Sequence, residues 1–346
     1  MLESTWFVLW GILWAVYFML DGFDLGLGTL LPVLAKTDEE RRMVYNAAGP
    51  FWDGNEVWLI AAGGVTFAAF PTAYAVMFSS LYSALMLVLF ALILRGVSFE
   101  FRSKEDHPRW RGLWDFCMVF GSFLPALLLG VAFANIFKGI PIDGDGVYQG
   151  TLLTLLNPYG IMGGVFFLCM FLMHGALWAA VKTYGPVRER AVSLAPALWV
   201  AVLATAVIFL VATAFNTRLY YNYVFNPFLF IVPSVVIPFL AVGALLMARV
   251  FMTRNQWWRA WFASSVTIVA VTLFGVVGLF PDILPSSLNP AYSLNIYNAS
   301  SSPLTLKIML GVALTFVPVV IAYQAWTYNF FKHRLTEEDL NCEEAY

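Results

Sequence analysis

Residues 6–33 read WFVLWGILWAVYFMLDGFDLGLGTLLPV. This run is longer than the roughly 20 apolar residues that a helix needs to cross a bilayer, so it predicts a membrane-spanning helix. Two carboxylates, Asp21 and Asp24, lie within it. An ionisable group inside a span is costly unless it faces a wet or polar interior, which makes both acids candidate functional residues.

The whole chain has the composition of an integral membrane protein. Of its 346 residues, 61% are hydrophobic and only 12% are charged, whereas charged residues make up about a quarter of a soluble domain. The net charge of -2 gives no indication of a nucleic-acid partner. The three cysteines have neither paired spacing nor a CxxC pattern, so we predict no disulfide framework and no thiolate metal site.

The pattern of apolar runs predicts an all-α polytopic membrane protein with about nine transmembrane helices, arranged as two helical bundles plus a peripheral helix. The nine spans are expected near 6–33, 55–72, 75–100, 113–137, 160–183, 192–214, 228–251, 260–281 and 304–330. We expect residues 1–346 to form a single integral membrane subunit. Its first four helices lie within 1–137, the next four within 160–281, and a cytoplasmic tail covers 331–346.

Positive charge predicts the orientation. Most Lys and Arg residues lie in loops after odd-numbered spans, and only Lys138, Arg218 and Lys307 lie towards the other side. By the positive-inside rule, the N-terminus is outside and the tail is cytoplasmic. The larger outward loops, about 138–159 and 282–303, are expected to form a cap.

Five acids form a candidate proton or cation path. Asp21 and Asp24 are three residues apart and therefore share a helix face. Asp53 and Glu56 stand at the start of the second predicted span, and Glu100 at the end of the third. Because both of these ends are predicted to be cytoplasmic, a line of carboxylates can run from the cytoplasm to the middle of the membrane.

Structural roles remain open for the acids at helix ends. Asp53 can simply cap a helix, and Glu100 can pair with Arg95 or Arg102 at the interface. His174 is the single histidine within a predicted span. One histidine cannot supply a bis-histidine haem site, so we interpret His174 as a hydrogen-bonded interior group.

Five motifs resemble subunit II of the cytochrome bd-type quinol oxidases. They are DGFDLG at 21–26, FWDGNEVWL at 51–59, LRGVSFEFR at 94–102, GSFLP at 121–125 and LNP at 156–158. The resemblance extends through the final span and covers essentially the whole chain. The second motif is long and unusual, which argues against chance similarity.

The resemblance implies a subunit of a bacterial respiratory quinol:oxygen oxidoreductase in the cytoplasmic membrane. In this family, the partner subunit I carries two b-type haems and one d-type haem and oxidises quinol, and oxygen is reduced to water. Subunit II carries no haem, so no catalytic, cofactor-binding or metal-binding residue is expected in this chain. Quinol and O2 are handled by the complex within the bilayer. A structural quinone and small single-helix subunits remain open.

The resemblance also implies a route for protons. Asp53 and Glu100 match positions assigned to a proton channel between the subunits, with Trp58 beside it. An Asp can occupy the place of Glu100, so the longer side chain is a departure from the family. Arg102 and Ser103 follow the family pattern at that end of the path. The complete set of predicted path residues is Asp53, Glu100, Asp24, Asp21, Trp58, Glu56, Arg102 and Ser103.

Two other functional classes remain at this point. A proton- or cation-coupled secondary transporter also has acids at the membrane midplane, but it typically has inverted repeats with helices broken at matching places, and we find no matching pair. In a purely structural assembly subunit, every carboxylate would be a packing or capping device. Neutralising the acids one by one separates these classes, because a scaffold loses assembly whereas a conduit loses rate.

Overall fold

The computed structural model describes residues 1–225 and 235–340, without the side chains of Val224, Phe225 and Glu337. This part of the chain is almost entirely helical, which confirms the prediction of an all-α polytopic protein. Its helices are α1 (Leu2–Leu34), α2 (Asp38–Ala48), α3 (Trp52–Ala69), α4 (Pro71–Ser80), α5 (Tyr82–Phe101), α6 (Pro108–Lys138), α7 (Leu152–Leu155), α8 (Pro158–Lys182), α9 (Gly185–Asn216), α10 (Leu219–Phe225), α11 (Ile237–Thr253), α12 (Trp257–Leu279), α13 (Pro303–Phe330) and α14 (Glu337–Leu340).

Seven of the described helices are long and apolar enough to cross a membrane: α1, α5, α6, α8, α9, α12 and α13. The second predicted span corresponds to α3, which has 18 residues. The seventh predicted span, 228–251, lies partly outside the described residues, and the rest of it falls in α11. The third predicted span is divided at Leu81 between α4 and α5.

Helix α1 lies at the centre of the fold and packs against α3, α6, α8 and α12. Two groups of helices surround it. The first contains α1, α3, α5 and α6, and the second contains α8, α9, α11 and α12, with contacts of α8 to α1 and α6 joining them. Helix α13 packs mainly against α1 and α3, its Tyr328 also contacts Trp178 of α8, and most of its side chains are exposed. This is the predicted arrangement of two bundles and a peripheral helix.

Glycines allow α1 and α8 to approach closely. A Cβ atom on Gly26 would overlap the carbonyl oxygen of Phe171, and a Cβ atom on Gly175 would overlap the backbone of Gly26 and Leu27. The short spacing of Gly22 and Gly26 is a small-xxx-small pattern, which is typical of such contacts in membrane proteins. The two helical groups are therefore joined through backbone contact.

Two helical segments differ from the predicted spans. Helix α2 was not predicted, although Thr37 and Glu40 form a capping box at its start and this pattern is visible in the sequence. Helix α9 begins at Gly185 instead of 192, with Pro186 in its first turn. Proline is favoured at the start of a helix because its missing N–H needs no partner there, and polar residues can continue the helix beyond the bilayer.

The two ends of the bundle differ in charge and structure. We call the end that carries Lys36, Arg102, Arg188, Arg254 and Lys332 the basic end. At the opposite end, the two larger loops bond to each other: Ile140 N–H donates to Pro285 O at 3.0 Å, and Ser287 N–H donates to Ile140 O at 3.0 Å. There the short strands β1 (Asp282–Leu284) and β2 (Leu294–Asn295) pair in an antiparallel manner. The loops thus form a cap, as predicted.

Candidate functional site

A buried polar cluster lies among α1, α3, α5 and α13. Asp21 and Asp24 belong to α1, and 0% and 2% of their surfaces are exposed. Both face protein, as the sequence predicted. Neighbouring helices supply Asn55 and Arg95, which are each 0% exposed. A cluster of charged groups at this depth is a functional-site candidate.

An ion-paired group occupies the side of the cluster towards α5. Arg95 Nη2 donates to Asp21 Oδ1 at 2.6 Å, and the same nitrogen lies 3.2 Å from Glu56 Oε1. The Arg95 side chain is 1% exposed, whereas that of Glu56 is 23% exposed. Glu56 therefore links the surface to a fully buried ion pair.

A hydrogen-bonded group centred on Asn55 occupies the other side of the cluster. Asn55 Nδ2 donates to Asp24 Oδ2 at 2.7 Å and to Leu20 O at 3.3 Å. Asn55 Oδ1 accepts from Gln324 Nε2 at 3.1 Å and from Tyr328 OH at 3.0 Å. One amide thereby joins α1, α3 and the peripheral helix α13.

Trp58 extends this second group. Its indole Nε1 donates to Gln324 Oε1 at 2.8 Å, so the amide of Gln324 bridges Trp58 and Asn55. The resemblance predicted Trp58 beside the path of acids, and in the structure Gln324 and Asn55 connect Trp58 to Asp24.

Several buried polar atoms of the cluster have no hydrogen-bonding partner among the described residues. Asp21 Oδ2, Asp24 Oδ1, Arg95 Nε and Nη1, and Tyr17 OH all belong to this set. Tyr17 lies one helical turn beyond Asp21 on α1 and is 0% exposed. Buried polar groups without a partner reduce stability. A requirement for folding alone therefore does not explain why the cluster keeps these unpaired donors and acceptors.

Asp53 and Glu100 lie outside this cluster, on the surface at the basic end, where both side chains are exposed. Trp52 stacks on Phe99, with ring centroids 4.8 Å apart, so the start of α3 meets the end of α5. Asp53 Oδ1 accepts from Gly54 N–H at 2.7 Å, and Asp53 lies one helical turn before Glu56. Asp53 therefore lies next to Glu56, the partly exposed member of the cluster.

Arg102 belongs to a separate ionic network at the basic end. Its Nε donates to Asp115 Oδ1 at 2.7 Å, and its Nη2 donates to Asp38 Oδ1 at 2.7 Å. Arg41 Nη1 donates to Asp115 Oδ2 at 2.7 Å. Ser103 is exposed beside this network. The arginines that were alternative partners for Glu100 are thus bonded to other acids, since Arg95 binds Asp21.

His174 is a satisfied interior group, as the sequence indicated. Its Nδ1 lies 2.5 Å from Ser264 Oγ, its Nε2 lies 3.0 Å from Met19 O, and its ring stacks on Trp261. Within residues 1–225 and 235–340, no three His, Cys, Asp or Glu side chains are grouped so as to hold a metal ion.

Sequence reasoning did not assign five members to the cluster: Asn55, Arg95, Gln324, Tyr328 and Tyr17. A signal was present for Asn55, because it lies between two predicted site acids in the motif at 51–59. Gln324 is a polar residue within an apolar span, which also marks it in retrospect. The sequence carries no comparable signal for the two tyrosines.

Comparisons with known proteins agree with this fold. The family described as cytochrome bd terminal oxidase subunit II matches residues 2–331. A probable cytochrome oxidase subunit 2 of Haemophilus influenzae is 38% identical over 96% of this chain and 95% of its own length. The cytochrome bd ubiquinol oxidase subunit 2 of Bacillus subtilis is 36% identical, covering 98% of both chains.

One further relative and one solved structure extend the comparison. The cytochrome bd-I ubiquinol oxidase subunit 2 of Escherichia coli K12 is 36% identical over 98% of this chain and 96% of its own length. The fold resembles a chain of bd oxidase from Geobacillus thermodenitrificans with a TM-score of 0.74 and 14% identity, covering 95% of this chain and 98% of that one. The chain therefore belongs to the cytochrome bd terminal oxidase subunit II family and is a multi-pass membrane subunit of that class of oxidoreductase.

Proposed function

We propose that this chain is the haem-free subunit of a quinol:oxygen oxidoreductase and that its buried cluster conducts protons towards the oxygen-reduction site. Haems b and d, quinol oxidation and oxygen reduction belong to the partner subunit I in this proposal. The family and the names of the relatives support the complex, and the buried cluster supports the proton role. The basic end faces the cytoplasm in this proposal, in accord with the positive-inside rule.

The observation that carries the proton role is the position of Glu56. It is partly exposed at the basic end and lies 3.2 Å from Arg95, which holds Asp21 in the interior. Asp53 lies one turn nearer the basic end and Tyr17 one turn farther into the membrane. A proton entering at Asp53 therefore passes to Glu56, then to Asp21, and leaves towards Tyr17.

The charge of the cluster supports the same role. Three carboxyl groups, those of Asp21, Asp24 and Glu56, share a single guanidinium, Arg95, within the part of the chain that the structure describes. Ionisation of all three would leave uncompensated negative charge in apolar surroundings, which is costly. The cluster therefore holds at least one proton and can exchange it with small movements of side chains.

The test uses the purified membrane complex reconstituted in vesicles, with Glu56→Gln and Asp53→Asn. We expect quinol-dependent oxygen uptake and proton uptake from the basic end to fall by about tenfold or more, while the haem spectrum stays unchanged. Glu105→Gln, an exposed acid at the same end, is the control and is expected to have no effect. Normal rates of proton uptake in both variants would contradict the proposed path.

A structural assembly role is the second candidate, and the fully buried Arg95–Asp21 pair favours it. Removing one partner of a buried ion pair typically destabilises a protein by about 3–5 kcal/mol. Under this alternative, Asp21→Asn and Glu56→Gln would reduce the amount of haem-containing complex in proportion to activity. A conduit instead leaves the amount of complex unchanged and lowers its turnover.

A further inference from the structure

A pocket of about 420 Å³ at the basic end is rich in positive charge. Arg188 of α9, Arg259 of α12 and Arg334 of the tail line it, together with Trp257 and Trp258. Among the described residues that line this pocket, none is acidic. Three cations from three separate segments therefore converge on one cavity.

The arginines of this pocket retain most of their hydrogen-bonding capacity. Arg188 Nε donates to Ala180 O at 3.2 Å, and Arg259 Nη1 donates to Gln256 Oε1 at 3.0 Å. Arg334 Nε lies 3.5 Å from Val181 O. These acceptors are neutral, and a guanidinium has five N–H donors. The remaining donors suit an anion with several oxygen atoms, such as a phosphate group.

The tail that carries Arg334 is fixed in place. Lys182 Nζ donates to His333 O at 2.7 Å and also bonds to Phe331 O. Leu335 N–H donates to Lys182 O at 2.9 Å. Arg334 is thus held between two backbone attachments to the end of α8, so the three arginines form a pre-arranged group.

A second, apolar cavity lies next to this pocket. A groove of about 940 Å³ runs between α13 on one side and α1, α3 and α12 on the other. Trp258 lines both cavities, and Lys332 lies at the basic end of the groove. Along α13 the lining extends from Ala313 to Asn329, which is about 24 Å at 1.5 Å per residue. That length approaches the hydrocarbon thickness of a bilayer.

We propose that the two cavities together bind one anionic phospholipid. Its phosphodiester head group lies among Arg188, Arg259 and Arg334, and its acyl chains lie in the groove beside α13. Basic pockets between helices on the cytoplasmic side suit such head groups, and interfacial tryptophans mark the matching depth. A neutral quinone would fill only the groove and leave the three arginines without a ligand. The groove shares Trp58, Gln324 and Tyr328 with the buried cluster, whereas no described residue of the head-group pocket belongs to the proposed proton path.

The lipid proposal is tested by quantifying the phospholipids that co-purify with the complex. The double variant Arg259→Gln/Arg334→Gln removes two head-group contacts, and Lys104→Gln/Arg109→Gln removes the same charge at the same end, outside the pocket. We expect the first variant to retain roughly tenfold less anionic phospholipid than wild type, because each cation near the lipid surface adds to binding. The control is expected to retain the wild-type amount.

A second variant tests the groove without changing the charge. Ala325 lines the groove, so Ala325→Phe is expected to lower lipid retention several-fold while all three arginines remain. A thermal-shift titration of delipidated complex with phosphatidylglycerol, phosphatidylethanolamine or inorganic phosphate then identifies the ligand. We expect stabilisation by phosphatidylglycerol alone.

Three outcomes would overturn the proposal. Equal lipid retention in wild type and in both pocket and groove variants would remove the site. Stabilisation by inorganic phosphate as strong as that by phosphatidylglycerol would make it a site for free anions. Loss of a co-purified quinone, instead of a phospholipid, in the Ala325→Phe variant would assign the groove to a different ligand.

Discussion

Asn55 makes more side-chain hydrogen bonds than any other residue of the buried cluster. Its side chain has two amide hydrogens and a carbonyl oxygen with two lone pairs, and all of them are engaged by Asp24, Leu20 O, Gln324 and Tyr328. A carboxylate in this position would repel Asp24, and an apolar side chain would deprive Asp24, Gln324 and Tyr328 of a bond. An amide is therefore the side chain that suits this position.

Replacing Asn55 with Ala is expected to destabilise the complex. Each buried polar group left without a partner costs about 1–3 kcal/mol, and Asp24, Gln324 and Tyr328 would all lose a bond. We expect a loss of several degrees in the thermal midpoint of the purified complex. Asn216→Ala is the control, because Asn216 is exposed and bonds only within α9. Equal midpoints for the two variants would show that the Asn55 bonds are not needed for stability.

At this scale, the sequence identified the acids but not their partners. The cost of burying charge makes Asp21 and Asp24 conspicuous in an apolar run, whatever the fold. The sequence also drew attention to Arg95, but as a positive charge near a helix end and a possible partner of Glu100. Its actual partner, Asp21, is 74 residues away, and only the packing of α1 and α5 against α6 brings the two together.

Among the helices, α2 connects the two halves of the molecule at the basic end. Glu40 accepts from the backbone N–H of Lys36 at 2.6 Å and receives two bonds from Arg190 of α9, at 2.6 and 3.0 Å. Arg190 also bonds to Leu34 O at the end of α1. One carboxylate thereby completes the cap of α2 and fixes α9 against the first group of helices.

Glu40 gives this connection a defined pH dependence. The hydrogen bonds from Arg190, with those from the backbone of Lys36 and Thr37, lower the pKa of Glu40 from 4.5 to about 2. Because the pKa is lower in the folded state, its stabilising effect is complete above about pH 4.5 and is lost as the pH falls towards 2.

Glu40→Gln is therefore expected to lower the thermal midpoint at neutral pH by about 2 °C. Most of the difference from wild type should be lost by about pH 2, where about half of Glu40 is itself protonated. Glu39→Gln is the matched control, since Glu39 is exposed and precedes Glu40 in the same helix. A difference between Glu40→Gln and wild type that is constant from neutral to acid pH would contradict the assignment.

The helices also show which features a single sequence can predict. Long apolar runs such as α6, α8 and α12 were located within a few residues, because the bilayer demands length and hydrophobicity alone. The break at Leu81 and the early start of α9 were not predicted, since both depend on local geometry within segments of otherwise continuous helical character. Helix α2 lacks an apolar run and has only a capping signal.

Across the whole molecule, packing density is uneven. Helix α1 is surrounded by protein, whereas α9 and α13 expose large apolar side chains such as Val207, Phe215, Phe316 and Trp326. In a membrane protein such faces contact lipid or another subunit. The molecule therefore has a closely packed centre, where glycines allow helices to touch, and an exposed apolar margin along α13.

The centre predicts the largest effect of a single small substitution. A methyl group on Gly26 would overlap the backbone of Phe171 on α8, and a backbone cannot move aside as a flexible side chain can. Gly26→Ala must therefore separate α1 from α8 and disturb both helical groups, at a cost of at least about 1–3 kcal/mol for overpacking. We expect a several-fold lower amount of the subunit in membranes and a lower thermal midpoint.

Gly64→Ala is the matched control for this prediction. Gly64 lies in α3, and a Cβ atom there has no neighbouring atom within 4 Å, so the methyl group meets no obstacle. Alanine is also favoured over glycine inside a helix by about 0.5–1 kcal/mol, so this variant should be as stable as wild type or slightly more stable. If Gly26→Ala accumulated in membranes and melted like Gly64→Ala, the α1–α8 contact would not hold the two halves together, and their association would have to come from the α6–α8 and α1–α12 contacts and from the Glu40–Arg190 connection instead.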